Sequence, residues 1–446
     1  MANTYLQNTT TTATDTKKFT WSMWVKRSLL GSPAQRIWNI YADTNNKAQV
    51  AFNTDDQFSY FDKLGGSEVW SQTPKMKLRD TSAWYHIVVA VDTTQGTEAD
   101  RAKIYINGEL QTELEAGGSY PSINASTGTQ ITTSSNNRRI GSNESANTHF
   151  NGLISHLHFV DGTAYPASTF GSTDSVTGEW KINTSPSITM GTNGFTILKD
   201  GNTITDQSTN SNDFSLGAGT LTKTEDCPSN VFATWNPLVA NMDTLTNGNT
   251  SVARSGSGFR SAFSTIALPS TGKFYCEFKR GSGNLVYLGI ADDKEGGCVD
   301  LQNRGQESQV GANANSVSYL ASDGRSTINN SADTSYGASF SSSNVIGMAV
   351  DMTNMKLYFS KDGVFQNSGD PTSGSTGTGA LSIPATTGTY FVAAGFNASG
   401  VNVNFGNGFF ATTEISSDGT AASTPGRFEH NVPTGYQPLT TKGLNA

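Results

Sequence analysis

A chain of 446 residues is too long for one ordinary core and fits two or three domains of about 100 to 200 residues each. Its formal charge of −8, with charged residues at only 15%, leaves no clustered Lys and Arg to meet a nucleic-acid backbone. No apolar run approaches the roughly 18 residues that cross a bilayer, and the polar segment from Met1 to Lys18 lacks the apolar stretch of a signal peptide, so synthesis in a cytosol without membrane insertion is expected.

Glycine reaches 46 residues, which favours turn-rich β structure over helix. The first periodic run places Phe19, Trp21, Met23 and Val25 at every second position, as a half-buried strand requires. Further short runs follow at Arg36 to Tyr41, Ala48 to Asn53 and Phe58 to Asp62. From Trp84 to Leu110 the chain reads as a hairpin whose second strand closes on Asn107-Gly108, a pair that tolerates φ > 0 at both positions. A run from Gly152 to Val160 leads to Asp161-Gly162, expected as the next hairpin turn. Within that run Leu153, Leu157 and Phe159 are expected inward, which leaves His156 and His158 together on the other face.

The motifs Phe19 to Arg27, Trp84 to Val91, Ala102 to Gly108 and Phe150 to Gly162 resemble the laminin-G, or concanavalin A-like, jelly-roll family. They are also similar to virion proteins of marine tailed phages that carry such modules. The resemblance covers about the first 170 residues. Between Glu179 and Pro237 the pattern weakens into short strands and polar turns, read as a connector that could lend a strand to the first module.

The second half contains Gly272 to Phe278, Leu285 to Ala291, and Val345 to Val350 joined through Asp351 to Lys356–Ser360, which closes on Asp362-Gly363. With Tyr390 to Phe405 this order resembles the SPRY (B30.2-like) domain, which implies a second two-sheet sandwich whose rim loops bind partners. The expected organisation is all-β, with two antiparallel β-sandwiches: a concanavalin A-like jelly roll at 1–178, a connector at 179–240, a SPRY-type sandwich at 241–411 and a polar C-terminal extension at 412–446. Leu357 and Val350 are expected in the second core.

No catalytic constellation emerges. Glu98 and Asp100 have the first spacing of the carboxylate triplet used by glycosidases of this fold, but the third position is Lys103. Cys227, Cys276 and Cys298 are an odd number without a CxxC pair and are expected as free, buried thiols. His156 and His158 could in principle share a metal, although polar packing on a sheet accounts for them more simply. Calcium is the cofactor to weigh, because laminin-G-like domains often carry one through loop oxygens; the carboxylates available are Asp43, Asp55, Asp56 and Asp161, and loop aspartates equally well form turns. Asp292 to Gly296 is acidic but fails the EF-hand pattern at Lys294.

Aromatic and charged residues on loops are the remaining candidates for recognition, since a sugar's C–H face stacks on an aromatic ring. The ligand-binding candidates are Trp38, Tyr60 and Trp70 in the first module, and Asp292, Asp293, Tyr319, Asp323 and Arg325 in the second; Tyr120 and Tyr336 are weaker ones. Long segments at 64–80, 113–137, 292–315, 321–335 and 366–379 are expected to carry the contacts.

These readings imply a non-enzymatic phage virion protein of fibre or decoration type. Its expected partners are other virion proteins and a host-surface glycan or receptor, with homo-oligomers or many copies supplying avidity. A phage polysaccharide depolymerase and a purely structural spacer are the alternatives.

Overall fold

The computed structural model describes residues 3–132, 137–199, 201–238, 244–294, 309–420 and 425–445. Cys298, Glu295 and most of the segment 292–315 lie outside them. Contacts divide the chain into two compact units, Met1–Lys223 and Thr224–Ala446. Every long element in both is a β-strand, and the helical pieces among the described residues are single 3-10 turns.

The first unit is a pair of antiparallel sheets. Its strands are β1 (Tyr5–Asn8), β2 (Lys18–Arg27), β3 (Gln35–Asp43), β4 (Asn46–Phe52), β5 (Phe58–Leu64), β6 (Ser67–Gln72), β7 (Trp84–Asp92), β8 (Ala102–Ile106), β9 (Glu109–Leu110), β10 (Arg138–Ile140), β11 (Gly152–Asp161), β12 (Gly171–Thr173), β13 (Trp180–Ile182), β14 (Phe195–Ile197) and β15 (Ser215–Ala218). One sheet runs β15-β1-β10-β3-β4-β5-β6, and the other β14-β11-β2-β7-β8-β9. Phe19, Trp21, Met23 and Val25 of β2 enter the core between them, beside Ile87, Val89 and Val91 of β7. The Asn107-Gly108 turn has φ of 49° and 82°, the left-handed pair that a two-residue loop of this kind needs.

Three expectations change here. The β2 strand is buried on both faces, not one, because the segment after β11 folds back over the sheet: Ala167, Phe170 and Trp180 pack with Val88, and Trp24 stacks on His86 at 4.8 Å. Asp161-Gly162 does not make a hairpin, since β11 pairs with β2 and β14; the Asp161 carboxylate instead accepts the backbone N–H groups of Thr14 and Asn193. In β11 the register shifts between Ser155 and His158, and His156 has φ of 47°. Two residues there oppose Met23, a β-bulge that resets parity, so Ile154, not Leu153, packs against the core with Leu157 and Phe159.

The second unit is also two sheets. The larger runs in the order Thr244–Thr246, Ser251–Ala253, Gly400–Asn404, Lys273–Arg280, Ile346–Asp351, Lys356–Lys361 and Val364–Phe365. The smaller runs Phe259–Ala267, Tyr390–Asn397, Val286–Asp292, Ser316–Leu320, Arg325–Ile328 and Thr334–Ser335. Val350 and Leu357 are cross-strand partners at 1% and 0% exposure, inside a core that includes Phe274, Phe278 and Phe359. Asp362 and Gly363 have φ of 50° and 81°, as their turn requires.

The span 179–240 is divided between the units rather than standing between them. β14 and β15 complete the two sheets of the first, while Ala233 and Trp235 belong to the core of the second. Nor is 412–446 merely a polar extension. Phe428, Val432 and Tyr436 cover Tyr275, Ala349 and Tyr358, the outer face of the larger sheet, and Gln437–Pro438 pairs in parallel with Lys273–Arg280. The Glu277 carboxylate fastens this cover by accepting the backbone N–H groups of Glu429 and His430, each at 2.8 Å.

Candidate ligand-binding face

The aromatic candidates Trp38, Tyr60, Trp70 and Tyr319 are core residues. Trp38 lies in phase with Ile40 on β3, and Tyr60 in phase with Phe58 on β5, so the pleat turns both inward. Trp70 is fully buried, and its ring stacks on Tyr60 at 3.9 Å. Tyr319 is fully buried in the second core and donates its hydroxyl to the Ala338 carbonyl; Tyr336 packs edge-on against it. None of these rings is available to stack on a sugar.

Asp292 is also buried; it accepts from the Thr386 hydroxyl and, at 3.0 Å, from the Asn315 amide, which makes it a loop anchor. Asp293 accepts the Thr389 N–H at 2.8 Å. Asp323 and Arg325 are exposed and pair with each other at 3.1 Å. Tyr120 is half-buried and packs against the first core. The expected contact segments are shorter than they read, because 64–80 contains β6, and 321–335 contains Arg325–Ile328 and Thr334–Ser335.

The calcium candidates serve as turn formers and anchors. Asp43 accepts from the Asn45 N–H and the Asn46 amide, and Asp55 lies exposed in the turn between β4 and β5, its N–H donating to the Asn53 side chain. Asp56 is 4% exposed and neutralised by two arginines, Arg27 and Arg79, each at 3.0 Å, with the Gly31 N–H as a third donor. These donors fill the oxygens a cation would need. Asp161 is likewise filled by backbone N–H groups. Among the described residues no group of three His, Cys, Asp or Glu is placed to hold a metal ion.

The histidines are structural too. His158 is buried, with Nδ1 bonded to the Thr196 hydroxyl at 2.8 Å, and burial pushes its pKa down to about 3. His156 is separated from it by the bulge and bonds to the Ser155 hydroxyl at 2.7 Å. Glu98 and Asp100 form an exposed 3-10 turn, and Asp100 pairs with Lys103 at 2.8 Å. Cys276 is buried, which pushes its thiol well up, while Cys227 is only half-buried.

What the structure does assemble is the outer face of the first unit's larger sheet. Cross-strand register carries one row through Ser215, Gln7, Arg139, Asn39, Gln49, Phe61 and Ser71, from β15 to β6. From β1 to β6 it crosses six strands, about 24 Å at the usual spacing near 4.8 Å. Beside it Tyr41, Lys47 and Lys63 form a second row, and Arg36, Ala51 and Ser59 a third. Arg139 lies over the Tyr5 ring at 4.7 Å, and its Nη1 donates to the carbonyls of Asn143 and Glu144.

Gln49, Phe61 and Arg139 are half-buried, so their side chains reach solvent. Asn39, beneath them at the centre, has neither amide atom hydrogen-bonded. Such an orphaned buried amide costs about 1–3 kcal/mol. At its β1 end the row opens into a groove of about 380 Å³ lined by Gln7, Asn8, Asn212, Asp213, Phe214 and Ser215. Amides, a guanidinium and an aromatic ring in line across a sheet supply directional hydrogen bonds and one stacking surface, the equipment for holding a hydroxyl-rich chain. Parity along β3, β4 and β5 marks Asn39, Gln49 and Phe61 as facing away from Trp38, Val50 and Tyr60; only the register lines them up.

Residues 1–168 match the model of the laminin-G type within the concanavalin A-like lectin/glucanase superfamily. No curated protein matches the chain. Among solved structures, a human SPRY domain is similar at 17% identity, covering 36% of this chain and 92% of that one with a TM-score of 0.27. A putative carbohydrate-binding protein from Bacteroides ovatus is similar at 13% identity, covering 50% of this chain and 60% of that one with a TM-score of 0.33. A heptameric pentraxin from Limulus polyphemus is similar at 14% identity, covering 45% of this chain and 90% of that one with a TM-score of 0.27.

Proposed function

We propose that this chain is a non-enzymatic adhesion or decoration protein of a tailed-phage particle that binds a host-surface glycan. The observation that carries the reading is the amide and aromatic row across the outer face of the first unit, within the 1–168 span that matches a lectin-type family model. The contact surface accordingly moves from the rim aromatics, which are core, to this face. Stacking on Phe61 and hydrogen bonds from Gln7, Gln49 and Arg139 hold a sugar chain. Single sites of this kind are weak, and display in many copies, as a homo-oligomer or alongside other virion proteins, raises avidity.

The test is incubation of the full chain with host polysaccharides, reading both retention and reducing ends. Retention without new reducing ends supports adhesion. Release of reducing ends favours the depolymerase alternative, and silence with every glycan favours a structural spacer. Gold-labelled antibody against the chain tests the particle assignment: unlabelled particles would overturn it.

A further inference from the structure

On the same face, and resting on the glycan-binding reading, we propose that the ligand is an acidic polysaccharide whose anionic groups are met by Lys47 and Lys63. The two lysines are direct cross-strand partners on β4 and β5. Like charges placed opposite each other in a sheet repel, and neither ammonium group makes a hydrogen bond or ion pair among the described residues. Four other lysines of this unit form ion pairs: Lys18 with Asp92 at 3.6 Å, Lys75 with Glu113 at 3.5 Å, Lys103 with Asp100 at 2.8 Å and Lys181 with Asp174 at 2.7 Å.

The carboxylates beside the pair accept hydrogen bonds from neutral groups and form no ion pair with either lysine among the described residues. Asp43, which lies within electrostatic reach of Lys63, accepts from Asn45 and Asn46. Glu68, the register partner of Lys63 on β6, accepts from the hydroxyls of Ser71 and Ser119. Glu144 lies within reach of Arg36. The face therefore carries two ammonium groups without an ion pair, beside the half-buried Gln49, Phe61 and Arg139. In a chain of net charge −8, a pair of facing lysines without an ion-pair partner is local, not a general property of the surface.

Phe61 belongs to the first row, two residues from Lys63 along β5 and diagonal to Lys47, whose Nζ lies 6.0 Å from its ring centre. A sugar ring stacked on Phe61 would carry a carboxylate or sulfate on its equatorial edge toward Lys47 and Lys63, while its hydroxyls reach Gln49 and Arg139. Charge complementarity selects the anionic polymer, and the aromatic and amides select a sugar over a bare polyanion.

The experiment compares binding of the full chain to alginate, dextran sulfate and neutral dextran, for the parent and for the double variant Lys47→Gln/Lys63→Gln. Lys75→Gln/Lys77→Gln, on exposed positions away from the row, controls for loss of general positive charge. The expected result is retention of alginate or dextran sulfate but not dextran, an affinity that falls as salt is raised, and at least a tenfold loss in the first variant with none in the control. Preference between alginate and dextran sulfate identifies the anionic group as carboxylate or sulfate. Equal retention of dextran, or equal loss in both variants, overturns the proposal while leaving glycan binding standing. Failure to retain any of the three polymers or a host polysaccharide overturns both.

Discussion

Trp180 donates its indole N–H to Nδ1 of His86 across 3.0 Å, and His86 Nε2 lies 3.0 Å from the Ser22 hydroxyl. An indole can only donate, so the proton of the neutral imidazole is on Nε2. That one bond ties the segment carrying β12 and β13 to the outer face of the sheet formed around β2 and β7. It also makes His86 intolerant of a second proton, because protonation would set N–H against N–H.

Burial holds both His86 and His158 at a pKa of about 3, against about 6.5 when unfolded. Their folded pKa is depressed, so the stability they confer is complete above about 6.5 and is lost as pH falls toward 3, by about 1.4 kcal/mol per pH unit for each group. Urea midpoints of the first unit measured between pH 7 and pH 4 should decline accordingly, and His86→Gln should remove roughly one group's share of the slope. An unchanged slope in that variant contradicts the assignment.

Glu277 works in the opposite sense. Burial pushes its carboxyl up to about 7, while the N–H groups of Glu429 and His430 and the Asn404 amide pull it back. A raised folded pKa means that this group's contribution is full below about 4.5 and is lost as pH rises toward 7. Glu277→Ala leaves two backbone N–H groups without an acceptor, at a cost of about 1–3 kcal/mol each. Limited proteolysis followed by mass spectrometry should show earlier cleavage within 425–438 in that variant; protection equal to the parent would mean that the apolar contacts of Phe428 and Tyr436 alone hold the cover.

Leu357→Ala should destabilise the second unit by about 2–5 kcal/mol, since it opens a cavity against Val350 in a fully buried layer. Thermal unfolding should show the loss in one transition. Equal lowering of both would contradict the division into Met1–Lys223 and Thr224–Ala446.

Asp56→Ala should cost about 3–5 kcal/mol, because Arg27, itself fully buried over the Phe52 ring, loses its carboxylate partner. As an ion-pair anchor, Asp56 should give the same loss in the presence of calcium or of a chelator. A loss seen only with calcium would return Asp56 to the role of a metal ligand.

Much of the fold was legible because its signals are local. Period-2 runs such as Phe19 to Val25 and turn pairs such as Asn107-Gly108 and Asp362-Gly363 specify strand and hairpin through neighbouring residues alone, and parity already placed Val350 and Leu357 inside. The same parity, applied to Trp38 with Ile40 and to Tyr60 with Phe58, assigns those rings to the core; reading them as loop aromatics neglected it.

Three features lay beyond the reach of local pattern. The His156 bulge inverts parity within an otherwise regular run, so the inward side chain at its start is Ile154. The coverings over β2 and over the strand bearing Glu277 come from residues 163–190 and 425–438, far along the chain, and they bury faces whose alternation reads as half-exposed. The opposition of Lys47 to Lys63, and the row from Gln7 to Ser71, exist only through strand register. Periodicity determines which way each side chain points; what it meets there depends on which distant strand lies alongside and in what register, and tertiary packing alone decides that.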